Sequence, residues 1–378
     1  MNNYLNFHIL ISHSPSCLNR DDMNMQKSAI FGGVRRVRIS SQSLKRAFRT
    51  SDYYKEHLGK PSKRTRELGK LSLKYSEALK DRFSEQQVFQ AIELISGSKG
   101  LADNPTLQSA NVSTWSIQEV AYYCQQIADM GEEMDTKKLE KLIIKNAAPF
   151  NEALTQAVDI ALSGRMATSG LMTNMDGALA VAHAITTHEV DADIDWFTAV
   201  DDLVDEEQKK RRVGETTEGE SEQGAAHLGT KEFSSGVFYR YASLNIAQLQ
   251  ENLGDAPREK ALEIAAHVVH LLATVVPSAN QTTTAAYNLA DYALVSFSRL
   301  PISLANAFEA PIINDKGFLS PSIKALQNYW QQVHQGYGLK EQVAVYQLNK
   351  ESKKSKTPLT YIDSLPQLGQ WIKQDGVL

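Results

Sequence analysis

The segment from Arg35 to Arg49, RRVRISSQSLKRAFR, changes its hydrophobic period partway along, and that change dictates a strand that runs directly into a helix. Val37 and Ile39 alternate with Arg36 and Arg38, the period of a half-buried strand, so both arginines are expected on its open face. Ser40 or Ser41 can cap the helix that follows. In that helix Leu44, Ala47 and Phe48 face inward, while Gln42, Lys45, Arg46 and Arg49 recur at helical spacing on another side. The helix start and its basic face then point the same way. Exposed N–H groups at a helix start, with lysine and arginine beside them, make an anion site, and a run of cations suits a polymer of phosphates. A solvated basic helix explains the same pattern, and the residues leave both readings open.

The rest of the chain decides how unusual that cluster is. The formal charge is −4 over 378 residues, with 42% hydrophobic residues, which is enough for a full core and about two domains, or one with insertions. A general nucleic-acid binder has a domain pI above about 9, so binding here has to come from local patches. Cys17 and Cys124 are the only cysteines; neither a disulfide framework nor a C-x-x-C pair is present, and a reducing, cytoplasmic setting is expected. The most apolar stretch, Ala261 to Val276, is interrupted by Glu263, His267 and His270, so no membrane span is expected.

Leu5, Phe7, Ile9 and Ile11 alternate with Asn6, His8, Leu10 and Ser12 in an opening strand, and residues 13–33 read as a long loop ending at Gly32-Gly33. Residues 52–150 form a polar, mostly helical block that looks inserted, with Lys137, Lys141 and Lys145 on one helix face. Leu179, Val181, His183 and Ile185 alternate with alanines, which predicts a strand with one nearly bare face. Residues 204–224 have no apolar period and read as a solvated loop. Phe233 to Leu244 and Tyr292 to Phe297 are strand-like, and Asp255-Ala256-Pro257 starts a helix. The order β–α–insert–β–β–α–β is that of a ferredoxin-like sheet, the architecture of RNA-recognition modules.

Metal and cofactor motifs are weak. Asp191-x-Asp193-x-Asp195 with Asp202 has an EF-hand spacing, but Trp196 stands where that loop needs glycine. His267-x-x-His270 has no placed third ligand, and a core histidine is the commoner explanation. Ser163 to Gly170 matches neither the Walker nor the dinucleotide pattern, so no nucleotide cofactor is expected. Asp21-Asp22 beside Arg20 would suit a divalent ion for phosphodiester cleavage, although adjacent loop aspartates are usually caps. Trp196-Phe197-Thr198 places two aromatics in an acidic, loop-like stretch, where they either stack on bases or anchor a small satellite cluster.

Taken together, several segments resemble closely the CasC family, the backbone subunit of the type I-E CRISPR surveillance complex called Cascade. They are Ile11 to Lys27 (ISHSPSCLNRDDMNMQK), Phe31-Gly32-Gly33, Arg35 to Arg46, Asp159 to Gly170 (DIALSGRMATSG), His183 to His188, Asp193 to Asp202 (DIDWFTAVDD), His227 to Thr230 and Phe233 to Tyr241 (FSSGVFYRY). The resemblance implies an α+β right-hand shape. Its ferredoxin-like (RNA-recognition-motif-like) palm would take residues 1–51, 151–190 and 227–378, with a helical fingers insertion at 52–150 and a thumb hairpin at 191–226 that carries the flexible charged loop 204–224. It implies RNA contacts by Arg20, Lys27, Arg38, Ser40, Gln42, Lys45, Arg46, Arg49, Arg165 and Met166, with Trp196, Phe197 and Thr198 on the thumb kinking the guide of a neighbouring subunit. Lys137, Lys138, Lys141 and Lys145 fall where the family presents a basic face to double-stranded DNA. The implied partners are CRISPR guide RNA, target DNA, further copies in a helical filament and other Cascade subunits, with no cofactor, metal or catalysis. Type III relatives share the palm, which keeps a metal-dependent endoribonuclease using Asp21 or Asp22 as the rival. Two departures from the family stand out: residues 204–224 are longer and more charged than its usual thumb connection, and Ile144 with Lys145 displaces the last lysine of the basic face.

Overall fold

The computed structural model describes residues 2–101, 104, 106–131, 157–166, 171, 174–200, 225–349 and 359–377, with the backbone alone at 195–200 and 225–229. Strand β1 (Tyr4–Ser16) opens the chain, and β2 (Ser28–Phe31) and β3 (Val34–Ile39) follow as a hairpin. Its loop is Gly32-Gly33, with φ of +61° and +79°, the backbone signs a two-residue turn of this kind requires. The expected loop at 13–33 is therefore partly strand. Helices α1 (Ser41–Thr50) and α2 (Asp52–His57) come next.

The inserted block then begins with β4 (Lys63–Glu67), α3 (Leu68–Leu79), α4 (Glu85–Ser96), β5 (Gln108–Trp115) and α5 (Ile117–Met130). It is less helical than its polarity suggested, because β4 and β5 pair as a separate antiparallel ribbon. The block has its own core, built on Leu71, Tyr75, Ile92, Trp115, Tyr123 and Cys124. Lys137, Lys138, Lys141 and Lys145 lie outside the described residues.

The chain returns through α6 (Val158–Ser163) to β6 (Leu179–Val181), β7 (Ala184–Thr186), β8 (Asp193–Val200) and β9 (Ala225–Asn245). Next are α7 (Ile246–Asn252), α8 (Arg258–Thr274), β10 (Tyr292–Ser298), α9 (Leu319–Tyr337), β11 (Gln342–Gln347), β12 (Thr360–Ile362) and α10 (Leu365–Lys373). One large mixed sheet runs β12-β11-β10-β1-β9-β7-β3-β2, with β6 and β8 also paired to β9, so the fold is α+β. Its neighbours are antiparallel except β11 and β12. The stretch expected as one alternating strand is split between β6 and β7, and His183 between them is exposed.

Both faces of the central strands are covered. Leu5, Phe7, Ile9 and Ile11 of β1 join one core with α1, α7, α8 and α10, while Leu10 joins another beneath α9. The polar residues of β1 therefore need internal partners. Asn6 donates to the Leu300 carbonyl and accepts from Tyr241, and His8 Nδ1 lies 2.8 Å from the Tyr239 hydroxyl. Arg36 overturns the expectation of an open arginine face: its side chain is fully buried and donates to the carbonyls of Phe31, Thr186 and Phe308. A period of two separates the faces of a strand but does not say that a second layer covers the polar one.

Helix α8 carries His267 and His270 against α2. The Tyr53 ring stacks on His270 at 3.8 Å, and its hydroxyl lies 2.9 Å from His267 Nδ1, so both histidines serve helix packing here. Among the described residues no helix is long and apolar enough to cross a membrane. No group of three His, Cys, Asp or Glu side chains among them is placed to hold a metal.

Candidate nucleic-acid interface

The loop between β1 and β2 is a folded turn. Asp21 Oδ1 accepts from the backbone of Met23 and of Met25 at 2.9 Å each, and a bridge between Arg20 and Gln26 closes the turn. The loop is fastened to α1 by Asn19, whose Oδ1 accepts from Ser40 N at 2.8 Å. Lys27 N donates to the Asn19 carbonyl, and Arg38 N donates to that of Lys27. This chain of hydrogen bonds brings Lys27, Arg38 and Ser40 together, with exposed Arg20 on the same turn. Ser40 caps α1 by accepting from Ser43 N, as a cap at either serine had suggested.

Arg38 Nε donates to the Ser28 carbonyl, and its Nη1 lies 3.4 Å from His183 Nδ1. Partial burial, then Arg38, then Lys27 hold the His183 imidazole below its ordinary pKa. The histidine thus marks a region of positive potential. The alternation around His183 did not announce this neighbourhood, because Arg38 comes from β3 and Lys27 from the residue before β2.

The basic face of α1 divides in two. Gln42 and Arg46 are exposed, whereas Lys45 and Arg49 are half-buried and turn toward β6 and α6. Lys45 Nζ donates to the Leu179 carbonyl at 2.8 Å, and burial, with Arg64 second, pushes its pKa down. Arg49 Nη1 stands 4.0 Å from Asp159 Oδ2 and has no hydrogen-bond acceptor. Asp159 is itself held by the backbone and hydroxyl of Ser62.

Arg165 and Met166 are adjacent yet have opposite fates. Met166 is 82% exposed. The Arg165 side chain is fully buried, and its two terminal nitrogens meet Glu119 of α5 at 2.6 and 2.9 Å. The resemblance implied an RNA contact for Arg165; in this fold its charge is paired with that of Glu119 in the interior. Backbone pairing of Arg165 with Met175 turns successive side chains to opposite sides, which separates the two residues. Trp196, Phe197 and Thr198 are not in a loop: they lie within β8, in register with Thr230, Gly229 and Leu228 of β9.

The structure resembles known assemblies along its length. A profile of the CT1975-like protein family matches residues 5–373. A chain of a solved complex described as "CRISPR RNA-guided surveillance complex, pre-nicking" is 26% identical, with a TM-score of 0.77, covering 99% of this chain and 100% of that one. A chain from a second "CRISPR RNA-guided surveillance complex" shares the fold at 22% identity and a TM-score of 0.61, again covering 99% of this chain and 100% of that one. No curated protein sequence matches.

Proposed function

Because the chain belongs to the CT1975-like family of Cas proteins, we propose that it is a non-catalytic, guide-RNA-binding backbone subunit of a Cascade-like surveillance complex. The observation that carries this reading is the gathering of Arg20, Lys27 and Arg38 around the capped start of a helix that also exposes Arg46, in a chain whose formal charge is −4. Phosphate contacts of this kind supply affinity, while base pairing between guide and target selects the sequence. Lys27, Arg38 and the α1 face would hold the guide backbone, and exposed Met166 would lie against its bases.

The finer assignment is to type I-E, with a ferredoxin-like palm, copies multimerising along one guide in the cytoplasm, and the β8–β9 hairpin as the thumb that reaches a neighbour. In it, Lys137, Lys138, Lys141 and Lys145 would face target DNA, and Phe197 with Thr198 would break the guide's stack. The hydrogen bonds from the Met23 and Met25 amides support the non-catalytic reading, since they give Asp21 a structural role in its own turn.

Filter binding of single-stranded guide RNA across a salt series tests the proposal. Arg46→Ala and Gln42→Ala,Arg46→Ala should weaken binding to any RNA sequence, and Arg46→Ala should flatten the log-affinity against log-salt slope by about 0.7 per lost phosphate contact. A slope equal to wild type would overturn the assignment. Cleavage of complementary RNA by guide-loaded protein and magnesium, abolished by Asp21→Asn or Asp22→Asn, would overturn its non-catalytic part.

A further inference from the structure

Strand β4 reads Lys63-Arg64-Thr65-Arg66-Glu67, and Lys63, Arg64 and Arg66 are all exposed. It belongs to the inserted block, yet Ser62, the residue just before it, donates through its backbone and hydroxyl to Asp159, which stands 4.0 Å from Arg49, so the fold brings the start of β4 beside α1. Arg64 lies close enough to depress the pKa of both Lys45 and Arg49, second in each case to burial. Lys63 in turn feels Lys74 of α3 and Arg49, after burial, so the positive field continues from α1 across β4 to α3.

Little opposes it. Among the described residues no ion pair joins Lys63, Arg64 or Lys74 to a carboxylate, and Asp159, which faces Arg49, is buried and hydrogen-bonded to Ser62. Like charges held together cost folding free energy, and the buried, acceptor-less Nη1 of Arg49 adds to that cost. An arrangement that is unfavourable in the free protein is explained by an anion that neutralises it on binding.

We propose that Arg64, with Lys63 and Lys74, forms a second phosphate-binding surface that receives the backbone of the same RNA strand held by α1. The inference rests on the α1 reading above. A single strand is the occupant because Asp159 joins Ser62, next to Lys63, to Arg49 of α1, which makes the two surfaces one track; duplex DNA is an alternative that the test separates. The inserted block would then be a second wall of the guide channel.

The experiment compares the full-length protein with Arg64→Ala, Arg64→Lys and Lys63→Ala,Lys74→Ala, with Arg46→Ala as reference, using a single-stranded RNA of guide length across a salt series. Arg64→Ala should lower the slope by about 0.7 and Arg64→Lys should retain it. Without RNA, Arg64→Ala should melt at or above the wild-type temperature, because a repulsive neighbour has gone; this separates lost binding from lost folding. If Arg46→Ala flattens the slope while Arg64→Ala does not, the second surface is refuted and the α1 site stands. If neither does, the α1 reading falls and takes this one with it. An unchanged RNA slope with weakened duplex capture by the guide-loaded Arg64→Ala protein would also refute the proposal, in favour of DNA.

Discussion

The Glu119–Arg165 pair should be among the most costly polar contacts in the molecule to break. Glu119 sits in the first turn of α5 within the inserted block, and Arg165 follows α6 on the return to the large sheet, so the pair ties the block to the segment leaving it. Both side chains are fully buried and the contact is two-pronged. Removing either partner leaves an uncompensated charge in a place without water, which costs about 3–5 kcal/mol. Domains are stable by about 5–15 kcal/mol, so either loss is a large fraction of the whole.

Arg165→Ala and Glu119→Ala should each lower the unfolding free energy by that amount, read as a fall in the urea midpoint equal to the loss divided by an unchanged m-value, followed by circular dichroism and by fluorescence, to which Trp115 in the block's core contributes. The double variant Glu119→Leu,Arg165→Met should recover most of the loss, because paired desolvation disappears along with the attraction. Guide-RNA affinity per folded molecule should keep its salt slope throughout. An Arg165→Ala protein of wild-type stability whose RNA slope is flattened would show that the guanidinium works on nucleic acid, and would refute the argument.

Two further outcomes follow from buried groups. Burial holds the His8 and His13 pKa values down at about 3, below an unfolded value near 6.5, so the folded state keeps them neutral. Their contribution is present above about pH 6.5 and is lost as pH falls toward 3, by up to about 1.4 kcal/mol per histidine per pH unit. Urea midpoints at pH 7.5 and 5.5 check this, and equal values would refute it. At the β2–β3 turn, a Cβ on Gly32 would overlap the Glu309 carbonyl oxygen, whereas one on Gly33 meets open space. Gly32→Ala should therefore lower the melting temperature well beyond Gly33→Ala, which carries only about 1–2 kcal/mol of left-handed backbone strain. Equal losses would show that the Glu309 approach relaxes freely.

Local periodicity made several elements legible. The switch of period at Ser40 located β3 and α1, the alternation of Leu5 to Ile11 located β1, and the proline after Asp255-Ala256 located the start of α8, because these signals depend only on neighbours along the chain. Resemblance carried the candidate site further than pattern could. It drew attention to Arg20, Lys27 and Met166, whose surroundings in sequence are unremarkable. Three matters were decided only by tertiary packing. A second layer of structure buries Arg36, although its alternation equals that of half-exposed Arg38. Glu119, distant in sequence, captures Arg165 and leaves Met166 outside. Asp159 joins Ser62, at the start of the inserted block, to Arg49 of α1 and so brings Arg64 into the electrostatic surroundings of α1, a proximity with no local signature. Burial and Coulomb interactions depend on distances in space, whereas a pattern along the chain reports only which face a residue takes within its own element.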